Sequence, residues 1–287
     1  MAQPPSNSRQ CQSKAGTNFA PKRPPMVDIH CHLVPGIDDG SKSLPESLEM
    51  ASMAVNDGIG VIIVTPHQLG NFKFNTGDVI RNATINLQAE LDRHGIPLRV
   101  LPGGDVRIEE DMMRKLVSGE VMTLADRKRH VLLELPHELY FSLEPILQQL
   151  VRQKMVGILS HPERNLGLLR QRELLPKLVD AGCLMQVTAG SLVGGMGPEC
   201  QELAVWMLEE GLVHFLATDA HSPKTRRPLL RRAYQEAAKL TDEKTAYDLC
   251  ILNPGCVALG RDVPAGRRPV VRKKQSGKSW FGFGKAS

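Results

Sequence analysis

Val27-Asp28-Ile29-His30-Cys31-His32 decides how this chain is read. Its apolar and β-branched residues describe a short strand that ends in two imidazoles one residue apart. The same kind of ending recurs at Thr65-Pro66-His67, Gly104-Asp105, Leu133-Glu134-Leu135, Ser160-His161-Pro162 and Thr218-Asp219-Ala220-His221. Five of the nine histidines therefore stand where predicted strands run out, and Asp105, Glu134 and Asp219 stand at strand ends too. A buried ionisable group is costly unless it is paired or coordinated, so imidazoles and carboxylates converging on one place call for metal ions.

Working outward, strands are predicted at residues 27–30, 60–65, 98–102, 130–135, 156–160, 184–188 and 213–218. Between them lie predicted helices at 45–57, 78–94, 109–118, 143–154, 171–181, 198–210 and 228–240. This alternation indicates an α/β fold with parallel strands. Pro45 and Pro198 fit first helical turns, and Gly58, Gly95, Gly182 and Gly211 fit just past helix ends. Seven β-α units are one short of a regular barrel. A last helix at about 241–252, stopping before Asn253-Pro254-Gly255, would close the architecture without an eighth strand. In β/α barrels the chemistry sits at the C-terminal strand ends, where every residue named above falls.

The 287 residues are 41% hydrophobic and 23% charged, which suits one large globular domain, and no apolar run approaches a bilayer span. Residues 1–25 have no apolar stretch of secretory type and are expected to be a disordered leader. The barrel is expected over 26–260, and the protein is expected in the cytoplasm. Residues 261–287 carry no acid after Asp262 and end in a basic run with Trp280, Phe281 and Phe283. They are expected to be a flexible tail able to touch an anionic membrane or an acidic partner, at the inner face of the membrane. No nucleic-acid partner is expected. The six cysteines form no Cys-x-x-Cys pair and read as reduced thiols.

His30 and His32 leave one face of an extended segment, roughly 6.6 Å apart along the strand, while Ile29 and Cys31 should enter the opposite packing layer. Asp28 shares the histidine face and is expected to orient an imidazole by accepting its other N–H. Asp219 and His221 repeat the spacing. Asp105 and Glu134 could bridge ions, and His67 and His161 enter singly from other strands. Such a donor set, without cysteine, favours manganese, iron, zinc or magnesium. Several ions at a barrel mouth suit phosphoester hydrolysis. Arg164, three residues past His161, and Arg226, after His221, would meet phosphate oxygens. Thiol chemistry is disfavoured because no cysteine has arginine at Cys-x5-Arg spacing; Cys256 comes nearest, with Arg261 one position too near. No Walker-type phosphate loop occurs, and Gly194-Gly195-Met196-Gly197 reads as a rim loop.

The order Asp-Ile-His-Cys-His, Thr-Pro-His, Leu-Glu-Leu, His-Pro-Glu-Arg and Asp-Ala-His resembles the polymerase and histidinol phosphatase (PHP) superfamily. Its members are distorted (β/α)7 TIM-like barrels with a trinuclear metal centre. Pro35-Gly36-Ile37-Asp38-Asp39-Gly40, His161-Pro162-Glu163-Arg164, Gln186-Val187-Thr188-Ala189-Gly190-Ser191 and residues 212–221 look closer to the bacterial CpsB/CapC-type protein-tyrosine phosphatases of capsule and exopolysaccharide production. The resemblance implies metal ligands at His30, His32, His67, Asp105, Glu134, His161, Asp219 and His221, and phosphate contacts at Arg164 and Arg226. It implies two or three Mn²⁺ ions and dephosphorylation of phosphotyrosine on the tyrosine-rich tail of a membrane-bound bacterial kinase. A PHP phosphoesterase for a small phosphomonoester such as histidinol phosphate is the alternative enzyme. A non-catalytic, metal-stabilised regulator of polysaccharide export is the alternative of another class. One position departs from the family, which usually has glutamate where this chain has Asp105; the shorter carboxylate puts bridging of two ions in question.

Overall fold

The structure, a computed structural model, describes residues 24–268. Its strands are β1 (Met26–Cys31), β2 (Ile59–Val64), β3 (His67–Gln68), β4 (Arg99–Pro102), β5 (Asp105–Arg107), β6 (His130–Glu134), β7 (Val156–Ser160), β8 (Leu184–Thr188) and β9 (Phe215–Ala217). The helices are α1 (Leu44–Asp57), α2 (Gly77–Arg93), α3 (Met112–Ser118), α4 (Glu144–Arg152), α5 (Leu166–Arg170), α6 (Leu174–Asp180), α7 (Ala189–Leu192), α8 (Pro198–Glu209), α9 (Arg231–Leu240), α10 (Glu243–Tyr247) and α11 (Asn253–Ala258). Every strand pair is parallel, in the orders β1-β2-β4 and β3-β5-β6-β7-β8-β9.

The two sheets are parts of one α/β ring of seven staves. β3 continues β2 past Thr65-Pro66, and β5 continues β4 past Gly103-Gly104. Proline has no N–H for the ladder. The glycines break the third stave for a steric reason: a Cβ on Gly103 would stand 2.8 Å from the Ile63 side chain, and one on Gly104 would stand 2.3 Å from Gln68 Oε1. The predicted strand at 98–102 is therefore only the first half of that stave, and Asp105 opens the second half. The ring closes between β1 and β9 by discrete bonds and one isolated bridge, Cys31 to Ala220, in place of a full ladder. Asp219 N donates to His30 O at 2.7 Å, and His32 N donates to Ala220 O at 2.9 Å.

Asp28 belongs to this seam. It accepts from Thr218 N at 3.0 Å and His30 N at 3.3 Å on Oδ1, and from the Thr218 hydroxyl on Oδ2. The expectation that it orients an imidazole ring is thus corrected: both its oxygens are spent on tying the first strand to the last. Ile29 and Cys31 also part company. Ile29 packs with Val27, Ile63, Leu132, Ile158, Leu184 and Phe215, whereas Cys31 joins the cluster that faces the helices. A register shift between Asp28 and Cys31 separates them. Each fully buried aliphatic side chain of these clusters contributes about 1.5–3 kcal/mol.

The helix punctuation is as read. Pro45 and Pro198 lie in first turns, and Gly58, Gly95, Gly182 and Gly211 have left-handed φ of 99°, 65°, 89° and 70°. The last helix departs from expectation, since α10 passes through a π turn (Asp248–Leu252) straight into α11, with Pro254 in its first turn. The widened turn carries the chain past a proline that has no N–H to give. Asn253 adds a side-chain bond to His214 O at 2.8 Å.

The chain stays on the barrel beyond Gly260. Val263 is buried, Asp262 pairs with Arg129, and Arg268 N donates to Gly211 O at 2.8 Å. Residues 261–268 of the expected tail are therefore docked; residues 269–287, and the expected leader up to residue 23, lie outside the described residues. Among the described residues no helix is long and apolar enough to cross a membrane. Five cysteines there are free thiols.

His214 reports on this docked segment. Its Nδ1 accepts from Met185 N at 3.1 Å, so Nε2 carries the proton and donates to Gly266 O at 3.1 Å. Burial, helped by the Arg268 guanidinium, pushes its pKa from 6.5 down to about 4. A depressed imidazole contributes stability that is complete above the unfolded value and is lost as pH falls from 6.5 toward 4. The loss from this group reaches on the order of 3 kcal/mol. We expect the urea midpoint of metal-free protein to fall less steeply with acidification in His214→Gln than in the wild type. Identical slopes would show that His214 is charged in the folded state.

Candidate metal centre

The predicted donors converge at the C-terminal mouth of the ring. Four overlapping sets have mutual donor distances within 4.8 Å: His30, His32 and Asp105; His67, Asp105 and Glu134; His30, His161 and Asp219; and His32, Asp39, His67 and His221. All eight residues read from the sequence as ligands are brought together, and Asp39 joins them. Its signal was the Asp38-Asp39 pair in the turn after the first strand, which served as a family landmark and not as a donor.

Backbone geometry aims these groups. His161 and Asp219 both occupy left-handed φ, at 32° and 49°, conformations that cost a non-glycine residue energy and that gather at functional sites. Gly40 is required close by, since a Cβ there would lie 2.4 Å from His32 Cβ. Two partners missed in the sequence orient the first pair. Gln186 Oε1 meets His30 Nδ1 at 2.9 Å, and Asp38 Oδ2 meets His32 Nδ1 at 2.7 Å. An amide oxygen and a carboxylate only accept, so each Nδ1 is the protonated nitrogen and each Nε2 points inward. The two Nε2 atoms stand 3.2 Å apart. His221 Nδ1 donates to the Asp219 carbonyl at 3.0 Å, which leaves its Nε2 buried with no hydrogen-bond partner.

The group that most plainly calls for a cation is Asp105. Its side chain is fully buried, and neither oxygen accepts a hydrogen bond. It stands between two donor sets, with Oδ2 3.5 Å from His30 Nε2 and 3.3 Å from His67 Nδ1. Such a carboxylate is untenable without nearby positive charge. Protons supply that charge when metal is absent. Burial alone would lower His30, but Asp219 and Asp105 outweigh it and lift its pKa to about 9. His67 rises to about 10 in the same way, against its burial, through Asp105 and Glu134. Burial and the charge of Asp105 raise Glu134 to about 7. Burial and neighbouring cations push His32 to about 4 and His161 to about 3, so both offer neutral lone pairs. The donor set fits divalent cations.

Asp219 divides its two oxygens. Oδ1 faces His30 Nε2 at 3.2 Å and His32 Nε2 at 3.6 Å, while Oδ2 is clasped by the guanidiniums of both Arg164 and Arg226. These arginines, Asn165, His137, Leu135 and Ser160 join the donors around a cleft of about 200 Å³. A larger hollow of about 680 Å³ beside Pro25, Arg231 and Tyr234 holds none of the donor sets.

A profile of the family described as "Capsular polysaccharide synthesis, CpsB/CapC" matches residues 26–258. The chain belongs to the CpsB/CapC family. It is 37% identical over 202 residues to YwqE of Bacillus subtilis (strain 168), named a tyrosine-protein phosphatase, covering 70% of this chain and 79% of YwqE. To CapC of Staphylococcus aureus it is 30% identical over 262 residues, covering 90% of this chain and 100% of CapC. A solved structure from work on YwqE and CpsB of Streptococcus pneumoniae, described as unique metal-dependent tyrosine phosphatases, superposes with a TM-score of 0.81 at 32% identity. That match covers 86% of this chain and 100% of the other. A lactonase from Listeria monocytogenes, at 12% identity, shares the fold alone, with a TM-score of 0.55 over 85% of this chain and 97% of the lactonase.

Gln186 offers a test of this CpsB/CapC centre that leaves every donor in place. Gln186→Leu should weaken metal binding about 10–100-fold, because a mis-set His30 ring presents its lone pair poorly. Competition against a fluorescent chelator measures this. Unchanged affinity would mean that Gln186 merely fills space.

Proposed function

We propose that this protein is a manganese-dependent protein-tyrosine phosphatase whose substrate is the tyrosine-rich tail of a membrane-bound bacterial kinase in capsule or exopolysaccharide synthesis. The observation that carries the reading is the buried Asp105 carboxylate, without a hydrogen bond and shared by two donor sets beside a paired-arginine cleft. The names of its CpsB/CapC relatives support it. His30, His32, His67, Asp105, Glu134, His161, Asp219 and His221 would hold the ions, and Asp105 belongs to two of the donor sets. The glycines before Asp105 offset its missing methylene by letting the strand stand further in. Bound metal supplies Lewis acidity toward phosphate oxygens and lowers the pKa of water.

The chain's own part begins with Arg164 and Arg226, which bind the phosphate through planar N–H forks. Asp219 Oδ2 holds both guanidiniums in the cleft before substrate arrives, so little reorganisation is left to the reaction. The narrow cleft excludes bulk water and strengthens those contacts. The protein acts in the cytoplasm, and residues beyond 268 hold it at the membrane. Removing them should leave hydrolysis of a small aryl phosphate intact and weaken sedimentation with anionic vesicles.

Metal analysis together with turnover of a phosphotyrosine peptide, a phosphoserine peptide and histidinol phosphate tests the reading. Chelation should abolish turnover and Mn²⁺ restore it, with the phosphotyrosine peptide preferred and Asp105→Ala binding fewer ions. Preference for histidinol phosphate would move the enzyme to small phosphomonoesters. Arg164→Ala and Arg226→Ala should each lose about 100-fold in rate, on the order of 3 kcal/mol of transition-state stabilisation, while keeping metal through Asp219 Oδ1. Normal kinetics in both would make them surface cations.

A further inference from the structure

We propose that His137 is the proton donor to the departing tyrosine oxygen. The inference rests on the phosphatase reading and adds a residue that metal binding and phosphate binding leave unassigned. Among the described residues lining the cleft, the titratable side chains are Asp39, His67, Glu134, His137, His161, Arg164, Asp219, His221 and Arg226. All but His137 belong to the donor sets or to the arginine pair. His137 is exposed, in the turn that follows β6 at the rim of the cleft.

The main chain of this turn is fixed to the loop that carries Arg164. Leu166 N donates to His137 O at 3.0 Å, and Asn165 Nδ2 donates to Pro136 O at 2.8 Å and Leu139 O at 3.0 Å. Asn165 is itself fixed as the N-cap of α5, accepting from Leu168 N at 2.9 Å. Gly167 admits the turn this closely, since a Cβ there would stand 2.6 Å from Tyr140 N. His137 and Arg164 therefore line the cleft as one unit, set by backbone contacts that do not use the imidazole.

The chemistry calls for such a group. Tyrosine leaves as a phenolate whose conjugate acid has a pKa of about 10, so departure at neutral pH gains from a proton delivered as the bond breaks. In the step, a bond forms between a water oxygen and phosphorus, and that water gives up a proton to solvent. The bond from phosphorus to the aryl oxygen breaks, and its electron pair goes to that oxygen. The oxygen takes the proton of the His137 imidazolium. The products are tyrosine and inorganic phosphate, and His137 regains a proton from solvent.

The experiment compares metal-loaded wild type with His137→Gln and His137→Ala on a series of aryl phosphates. With phenyl phosphate kcat should fall about 100-fold, whereas with 2,4-dinitrophenyl phosphate, whose leaving group needs no proton, it should fall only a few-fold. The dependence of rate on leaving-group acidity thus becomes steeper in both variants. Phenylphosphonate, which has no bridging oxygen to protonate, should bind wild type and variants equally by calorimetry, with metal content unchanged. Equal losses across the series, or no loss, would overturn the assignment while leaving the phosphatase reading intact. Wild type that turns over no aryl phosphate at all would overturn both.

Discussion

Asp219 is the group on which fold and centre both depend. Its N–H donates to His30 O and helps close the ring between β1 and β9. One carboxylate oxygen faces the imidazoles, and the other receives two guanidiniums. It does all three from a left-handed backbone, at φ 49°. The surrounding charges hold its carboxyl well below the usual carboxylate range despite complete burial. A barrel whose first and last staves met through an ordinary ladder would need no such residue. Here the seam and the chemistry share atoms, so disturbing either disturbs the other.

Much of this was legible in the sequence because strands alternate sides with a period of two and barrels put function at strand ends. His30, His32, His67, Glu134, His161, Asp219 and His221 could be found by that logic, and the helix caps by their glycines. The rest was hidden for physical reasons. Asp28 looks like a partner for His30 because parity is all the sequence offers; only the register against Thr218 shows where its oxygens go. Gln186 lies 156 positions from the ring it orients, and no periodicity links the two. Asn253-Pro254-Gly255 carries every mark of a helix stop, yet a π turn takes the helix through it.

Asp105 shows how a short carboxylate comes to stand in the middle of the centre. The strand break at Gly103-Gly104 removes two side chains that would clash with Ile63 and Gln68, and Asp105 still comes within 3.5 Å of imidazoles from two different staves. Side-chain length and main-chain position act together there, and the two cannot be judged separately.

The docking of residues 261–268 sets a direction. Arg268 ends the described chain on Gly211, just past the C-terminal end of α8 and hence at the pole of the barrel opposite its mouth. The docked segment therefore sits behind the catalytic mouth. A surface that covered this pole would leave the metal centre open on the far side, free to meet a substrate from the opposite direction.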